Sequence, residues 1–309
     1  MQASERIDNF RLIDYGDGAI IMVTMIDPQK DIDWNDIWKS QMKRSRESHP
    51  GRDCACIWNS RKSALKFWDM CQREQNRIER TVWETDITER SRVLDIGAGP
   101  GTLAIPFAKK AAHVTAVEPA EGMCTVMREK MKEHGVDNIS IIQKRWEEVD
   151  VAGDLEPPYD VVIASFSLGM FDIRDAIEKM IQASSRYIYL YHFAGESTWS
   201  RQWKELWPRL HGRDYVSGPM SDVLYNVLYQ MGIYPNITTF KMKHHQRHSS
   251  LDEAIEELAS QAQAETEEQK AVLREYLEKE MKWEDGELVM HGSSIRVKIW
   301  WKTQPDSIN

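Results

Sequence analysis

Residues 93–102 read Val93-Leu94-Asp95-Ile96-Gly97-Ala98-Gly99-Pro100-Gly101-Thr102, and this stretch decides the fold. An apolar strand runs straight into a turn with glycine at every second position. Such glycines let the backbone turn tightly and approach a ligand closely, because no Cβ stands in the way. Leu103 to Ala108 is apolar again and reads as the start of a helix whose free N–H groups point back at the turn. Strand, glycine turn and helix in that order predict a nucleotide-like cofactor at the C-terminal edge of a parallel sheet. An enzyme is therefore favoured over a scaffold.

Outward from the turn, strand and helix patterns alternate. Arg92 to Ile96 is a first strand, His113 to Val117 a second, Ile139 to Gln143 a third, Tyr159 to Ser165 a fourth and Tyr187 to Phe193 a fifth. Met123 to His134 and Ile173 to Ala183 read as helices between them. Alternation of this kind predicts βαβ units and a parallel sheet. The first and fourth strands are almost continuously apolar, as expected when helices cover both faces. Asn236 to Lys243 is a sixth strand, and Ser294 to Lys302 a last one with Ile295, Val297, Ile299 and Trp301 on one side.

The flanks differ in character. Phe10 to Tyr15 and Ala19 to Ile26 predict two short strands around Gly16-Asp17-Gly18. An isolated hairpin is marginal in water, so it must pack on the main domain or a second subunit. Trp34 to Trp83 reads as helical, with a break at His49-Pro50-Gly51. Thr198 to Gly232 is an aromatic-rich helical insertion carrying Trp199, Trp203, Trp207, Tyr215, Tyr225 and Tyr229. Ser249 to Trp283 is acidic and largely helical, starting at Ser250-Leu251-Asp252-Glu253. Three regions result: 1–85 as a hairpin and helical cap, 86–195 as the cofactor-binding core, and 196–309 as the rest of the sheet with helical insertions.

The 309 residues are 41% hydrophobic and carry a formal net charge of −9. Nothing global favours nucleic acid, and the short run Lys43-Arg44-Ser45-Arg46 reads as a solvated helix face. Four cysteines make no disulfide framework in a chain this long, and the spacing of Cys54 and Cys56 is not that of zinc ligands. Free thiols in a reducing compartment are expected. The first residues show no signal peptide and no apolar run spans a bilayer, so a cytoplasmic protein without a membrane partner is expected.

Nicotinamide and flavin enzymes favour G-x-G-x-x-G. Here Gly97, Gly99 and Gly101 are spaced G-x-G-x-G, and Thr102 stands at the third dinucleotide position. The chain instead resembles the class I S-adenosylmethionine-dependent methyltransferases. The matching residues are Asp95 to Gly101, then Val117-Glu118-Pro119 with Met123 after it, and Tyr159 to Ser167; the resemblance covers roughly residues 90 to 195. It implies a Rossmann-like three-layer α/β sandwich with a mostly parallel seven-stranded sheet and an antiparallel last strand. It also implies S-adenosylmethionine as cofactor. Glu118 would take both ribose hydroxyls, at the roughly 20-residue distance from the turn that such an acid keeps. Gly97, Ala98, Gly99 and Gly101 would lie against the methionine and ribose parts, with Asp95 ordering the turn and Pro119 and Met123 beside it. The acid usual immediately after the third strand is absent. Trp146 could cover the adenine face instead, with Arg145 or Glu147 at its edge, and a packing role for this segment stands beside that one. Ser165 and Phe166 would stand next to the transferred methyl.

Methyl transfer is an in-line displacement in which the protein mostly supplies orientation. A general base is needed only if the acceptor must lose a proton. His192, at the end of the fifth strand, is the candidate base; a structural histidine is the competing reading. After the fourth strand the chain has Ser165-Phe166-Ser167-Leu168-Gly169-Met170 rather than the Asn/Asp-Pro-Pro-aromatic run of amino-methylating DNA enzymes. This departure favours a small-molecule acceptor, with a protein side chain next. His244, His245 and His248 invite a metal reading, but neighbours on a strand face opposite ways, and no metal is assigned. Trp58 to Ala64 resembles the helix that caps the cofactor's methionine end in relatives. The aromatic flanks could form a lid suited to an apolar or cationic acceptor, and the helical segment 249–283 a further lid or a homodimer contact. A catalytically silent methyltransferase-like subunit is the alternative from another class; the intact turn and ribose acid weigh against it.

Overall fold

The computed structural model describes residues 10–14, 20–24, 31–50, 54–73 and 75–303. Strands β1 (Phe10–Asp14) and β2 (Ile20–Thr24) form an antiparallel pair of their own; the Gly16-Asp17-Gly18 turn lies outside the described residues. The main sheet holds β3 (Arg92–Ile96), β4 (His113–Val117), β5 (Ile139–Ile142), β6 (Tyr159–Ser165), β7 (Ser184–Phe193), β8 (Asn236–His248), β9 (Lys282–Glu284) and β10 (Glu287–Lys302). Its order is β5-β4-β3-β6-β7-β10-β8, with β9 attached to β10. Strands β3 to β7 run parallel, and β10 lies antiparallel between β7 and β8. The expected mostly parallel seven-stranded sheet with an antiparallel last strand is therefore present, and β9 adds a short hairpin to it.

The helices are α1 (Trp34–Ser48), α2 (Cys54–Ile57), α3 (Arg61–Gln72), α4 (Gln75–Trp83), α5 (Ala104–Ala108), α6 (Glu121–Glu133), α7 (Ile173–Ala183), α8 (Thr198–His211), α9 (Ser221–Gln230), α10 (Leu251–Ala262) and α11 (Glu267–Glu280). Alternate residues of the central strands point to opposite layers. Leu94, Ile96, Val162, Ala164, Ile188 and Leu190 pack with α1, α7 and α9. Val93, Val161, Ile163, Tyr187, Tyr189 and Tyr191 face the layer of α3 to α6. A third core, from Trp203, Leu206 and Trp207 of α8, Ile255 and Leu258 of α10, and Leu273 and Leu277 of α11, covers the far end of β10 at Leu288 and Met290.

Several details differ from the sequence reading, among them the starts of β7 at Ser184 rather than Tyr187 and of β10 at Glu287 rather than Ser294. The helix after the glycine turn is only Ala104–Ala108, so its dipole adds little to a ligand there. Strand β8 continues past Lys243 to His248, because its backbone pairs with Leu288 to Ser293 of β10 although the side chains do not alternate in polarity. The acidic segment is two helices, broken where Gln263 takes a left-handed conformation (φ 54°) and restarted by a capping box at Thr266 and Gln269.

Long-range polar contacts dock the flanks on the C-terminal edge of the sheet. The amide of Asn35 donates to Asp172 (2.9 Å), and its carbonyl accepts from the Arg174 backbone (3.1 Å). The fully buried Trp38 donates its indole N–H to the Met170 carbonyl (2.9 Å). Ser48 is a second anchor: its Oγ accepts from the Val216 N–H (3.1 Å), and its carbonyl accepts from the Trp207 indole (3.0 Å). On the other layer α3 meets α6 at Gly122, where an added Cβ would lie 2.6 Å from the Ser60 backbone, and Arg61 binds Glu129 in bidentate fashion.

Candidate active site

The glycine turn closes over the end of β4. The N–H groups of Gly97 and Ala98 both donate to the Val117 carbonyl, at 2.8 and 3.1 Å. Gly97, Gly99 and Gly101 all have positive φ (68°, 58° and 87°), a conformation that costs other residues roughly 1–2 kcal/mol each. The three glycines face different things. A Cβ on Gly97 would collide with the Ser167 side chain, and one on Gly101 would meet Met127 at 2.8 Å. A Cβ on Gly99 would find its nearest neighbour, Phe67, at 3.9 Å, so Gly99 presents bare backbone to open space.

That space is a cleft of about 700 Å³ along the C-terminal ends of β3, β4, β6 and β7, a volume within the range of roughly 300–1,000 Å³ that holds small ligands. Two buried carboxylates stand at one end. Glu118 takes the Gly99 N–H on one oxygen (2.9 Å) and the Ala120 N–H on the other (2.8 Å). Burial raises its pKa, and these two hydrogen bonds act against the rise. Asp95 is 2% exposed and its Oδ2 has no hydrogen-bond partner. Burial first, and the neighbouring Glu118 second, push its pKa up to about 7. An unpartnered buried carboxyl costs free energy, which makes Asp95 a candidate for a role in the cleft.

Of the residues singled out from sequence, Asp95, Gly97, Ala98, Gly99, Glu118, Pro119, Met123, Arg145, Trp146, Glu147, Ser165, Phe166 and His192 line this cleft. Gly101 lies apart from them, packed against Met127 of α6 and Ile105 of α5. Trp146 borders the cleft but belongs mainly to the core, where its indole donates to the Ala176 carbonyl at 3.0 Å. Phe166 is a non-glycine residue at positive φ (58°). It is held by its N–H to the Tyr191 carbonyl (2.9 Å), by the Phe193 ring (5.1 Å) and by the Arg296 guanidinium over its face (4.7 Å). Holding such a residue costs about 1–3 kcal/mol and is characteristic of functional positions.

At the other end the cleft is lined by α1, the end of β7 and the loop from Gly212 to Met220. The Nε2 of His192 lies 3.0 Å from the Pro219 carbonyl, and its Nδ1 has no partner. A carbonyl only accepts, so Nε2 carries the proton and Nδ1 the lone pair. Burial holds the imidazole pKa below its ordinary value, and the ring is neutral at pH 7. Ser217 also lines the cleft with an unpartnered buried hydroxyl. Sequence reasoning missed Ser167, whose Oγ donates to the Ile96 carbonyl and which seats Gly97. It also missed Ser217 and Phe67. No local pattern marks them; their place depends on contacts distant in sequence. Among the described residues no three His, Cys, Asp or Glu side chains make a metal-holding group, and no helix is long and apolar enough to cross a membrane.

Comparison with known proteins agrees with this geometry. Residues 93–187 match the methyltransferase domain family. Over this stretch the sequence is similar to that of methyltransferase domains. The fold is similar to the solved structure of YcgJ from Bacillus subtilis, with a TM-score of 0.52, 14% identity, and coverage of 75% of this chain and all of that one. An uncharacterized protein of Haemophilus influenzae is 28% identical over 218 residues, 68% of this chain and 75% of its own length. A probable ribosomal RNA small subunit methyltransferase A of Methanosphaera stadtmanae is 30% identical over 92 residues, and this match spans only 32% of that protein.

Proposed function

We propose that the protein is an S-adenosylmethionine-dependent methyltransferase acting on a small-molecule acceptor. The observation that carries this reading is the pair of buried carboxylates, Asp95 and Glu118, on either side of a glycine whose backbone is open to the cleft. The residues fit the cofactor by their donor and acceptor sets. Each Glu118 oxygen receives one backbone N–H and keeps a lone pair for one hydroxyl of a vicinal diol. The orphaned Oδ2 of Asp95 suits a cationic amine, which would favour its ionised form. Bound there, the cofactor supplies a methyl carbon on a positively charged sulfur, open to in-line displacement.

The chain's own part is placement and exclusion of water. Phe166, Phe193 and Trp199 line the middle of the cleft, with ring centroids 5.1 Å and 5.2 Å apart in sequence along that wall. Ser48 and Trp38 hold the α1 side in register with the Gly212–Met220 loop and with the segment that follows β6. The regions before residue 86 and after residue 195 are assigned to the acceptor side and the lid on this basis, except that Trp58 and Phe67 stand by the glycine turn. The acidic balance of the chain and the enclosed aromatic wall support a small acceptor over RNA, although the Methanosphaera protein's name concerns ribosomal RNA.

Calorimetric titration tests the donor half: S-adenosylhomocysteine should bind and NAD should not. The acceptor half is tested by methyl transfer from labelled cofactor into cell extract separated into small-molecule, protein and RNA fractions. Label confined to the protein or RNA fraction would replace the small-molecule reading.

A further inference from the structure

The cleft has an asymmetric distribution of charge. Among the described residues that line it, the carboxylates are Asp95, Glu118 and Glu147, all at the end where the cofactor is placed. The opposite end offers hydroxyls and imidazoles, including Ser45, His49, His192 and Ser217, set among Trp199 and Tyr215, and the cation Arg46, whose guanidinium is taken up by the Gly169 carbonyl (3.0 Å) and the Phe171 ring. An ammonium acceptor entering this end would lose its hydration and meet no counter-charge, which costs several kcal/mol. A planar neutral molecule meets rings and hydrogen-bonding groups instead.

Two buried polar atoms lack partners there, the His192 Nδ1 and the Ser217 Oγ. The tautomer forced by the Pro219 carbonyl makes Nδ1 an acceptor. What it lacks is a donor, and an acceptor molecule with an O–H supplies one. Ser217 can donate to or accept from a second polar substituent. The wall that carries both is fixed: the loop is bonded through Val216 to Ser48, and Gly218 packs against Met42 and Ser45 of α1.

We propose that the acceptor is a hydroxylated aromatic small molecule methylated on oxygen, with His192 Nδ1 taking the hydroxyl proton. This rests on the methyltransferase reading above and names the substrate class of the same cleft. The acceptor oxygen forms the new bond to the methyl carbon as that carbon's bond to sulfur breaks. The electron pair of the broken bond stays on sulfur, and the positive sulfonium becomes a neutral thioether. The hydroxyl proton moves to Nδ1, giving an imidazolium, and passes to water after the ether product leaves. The charged group acting on His192 is Asp222, at the start of α9 and outside the cleft lining, and it favours the imidazolium.

The test uses the full chain with S-adenosylhomocysteine present. Catechol and 4-hydroxybenzyl alcohol are titrated against benzylamine, followed by calorimetry and tryptophan fluorescence, and methyl ether formation with S-adenosylmethionine is read by mass spectrometry. The phenols should bind at least about tenfold more tightly than the amine, a difference of roughly 1.4 kcal/mol. Turnover of the phenols should rise with pH as His192 loses its proton. The variant His192→Asn should lose about a hundredfold or more in turnover, the contribution of a positioned base, and flatten that rise while binding S-adenosylhomocysteine as before. Equal or tighter binding of benzylamine overturns the proposal, as does failure of both phenols to bind, or a His192→Asn variant that turns over normally. Failure of S-adenosylhomocysteine to bind the wild-type chain strikes instead at the methyltransferase reading.

Discussion

Replacing Asp95 by asparagine should make the protein more stable while removing its ligand. The folded protein holds this carboxyl at a pKa of about 7, against an ordinary value of 3.8. Between those two pH values the unfolded chain has released the proton and the folded chain has kept it. Stability therefore falls as pH rises through this window, and above it the full cost is present. At about 1.4 kcal/mol per pKa unit the rise corresponds to roughly 4 kcal/mol. Asparagine cannot ionise and removes that cost. Its amide, as poorly partnered as the carboxyl it replaces, returns about 1–3 kcal/mol of penalty. The net gain at about pH 8 is then on the order of 2 kcal/mol, or a rise of roughly 4–8 °C in melting temperature. Below about pH 3, where the wild-type carboxyl is protonated in both states, the gain should vanish or change sign. Thermal unfolding of both proteins across this range, with calorimetric titration of S-adenosylhomocysteine beside it, measures the trade. An Asp95→Asn variant equally destabilised at both ends of the range would refute the reasoning, because the cost would then come from lost packing and not from ionisation.

Glu118→Gln places an amide where both backbone N–H groups of Gly99 and Ala120 need an acceptor; one of them loses its partner, and we expect a loss of about 1–3 kcal/mol in cofactor affinity by calorimetry. Gly99→Arg adds left-handed strain of roughly 1–2 kcal/mol and sends a long side chain into open cleft, so binding of S-adenosylhomocysteine should disappear while circular dichroism still reports a folded chain. Gly122→Ala drives a Cβ to 2.6 Å from the Ser60 backbone; overpacking of this kind costs about 1–3 kcal/mol, seen as a lower melting temperature and earlier proteolysis between residues 54 and 73. In the unmodified protein, binding of the cationic cofactor at Asp95 should release a proton near neutral pH, measurable as a binding enthalpy that depends on the ionisation enthalpy of the buffer.

The strands β3, β4 and β6 were legible at their full bounds, because burial on both faces demands an unbroken apolar run. β8 beyond Lys243 was not, since what holds Lys243–His248 in the sheet is pairing with a distant strand rather than any side-chain pattern. The break between α10 and α11 lay in view as Thr266 with Gln269 three residues on, but it was masked by the length of the acidic run. In the site, Glu118 and the glycine turn could be placed because the βα unit that carries them is local. Gly101 looked equivalent to Gly99 in sequence, and only the packing of α6 onto the turn separates a glycine that meets Met127 from one that meets open space. Ser167 and Ser217 depend on which distant backbone they face, which spacing does not encode.

The anchoring of Ser48 to Val216 and Trp207 has a consequence for how the site is made. The glycine turn, Glu118, Trp146 and Phe166 all come from one continuous stretch of chain, the part that matches the methyltransferase domain family at 93–187. Within that half the glycine turn and Glu118 are bonded to one another locally, and only Phe166 leans on later chain, through Tyr191 of β7 and Arg296 of β10. The opposite wall joins α1 to a loop 168 residues further on, and closing such a span is entropically late. One wall of the cleft is thus local in sequence and the other depends on the contact that brings Val216 to Ser48.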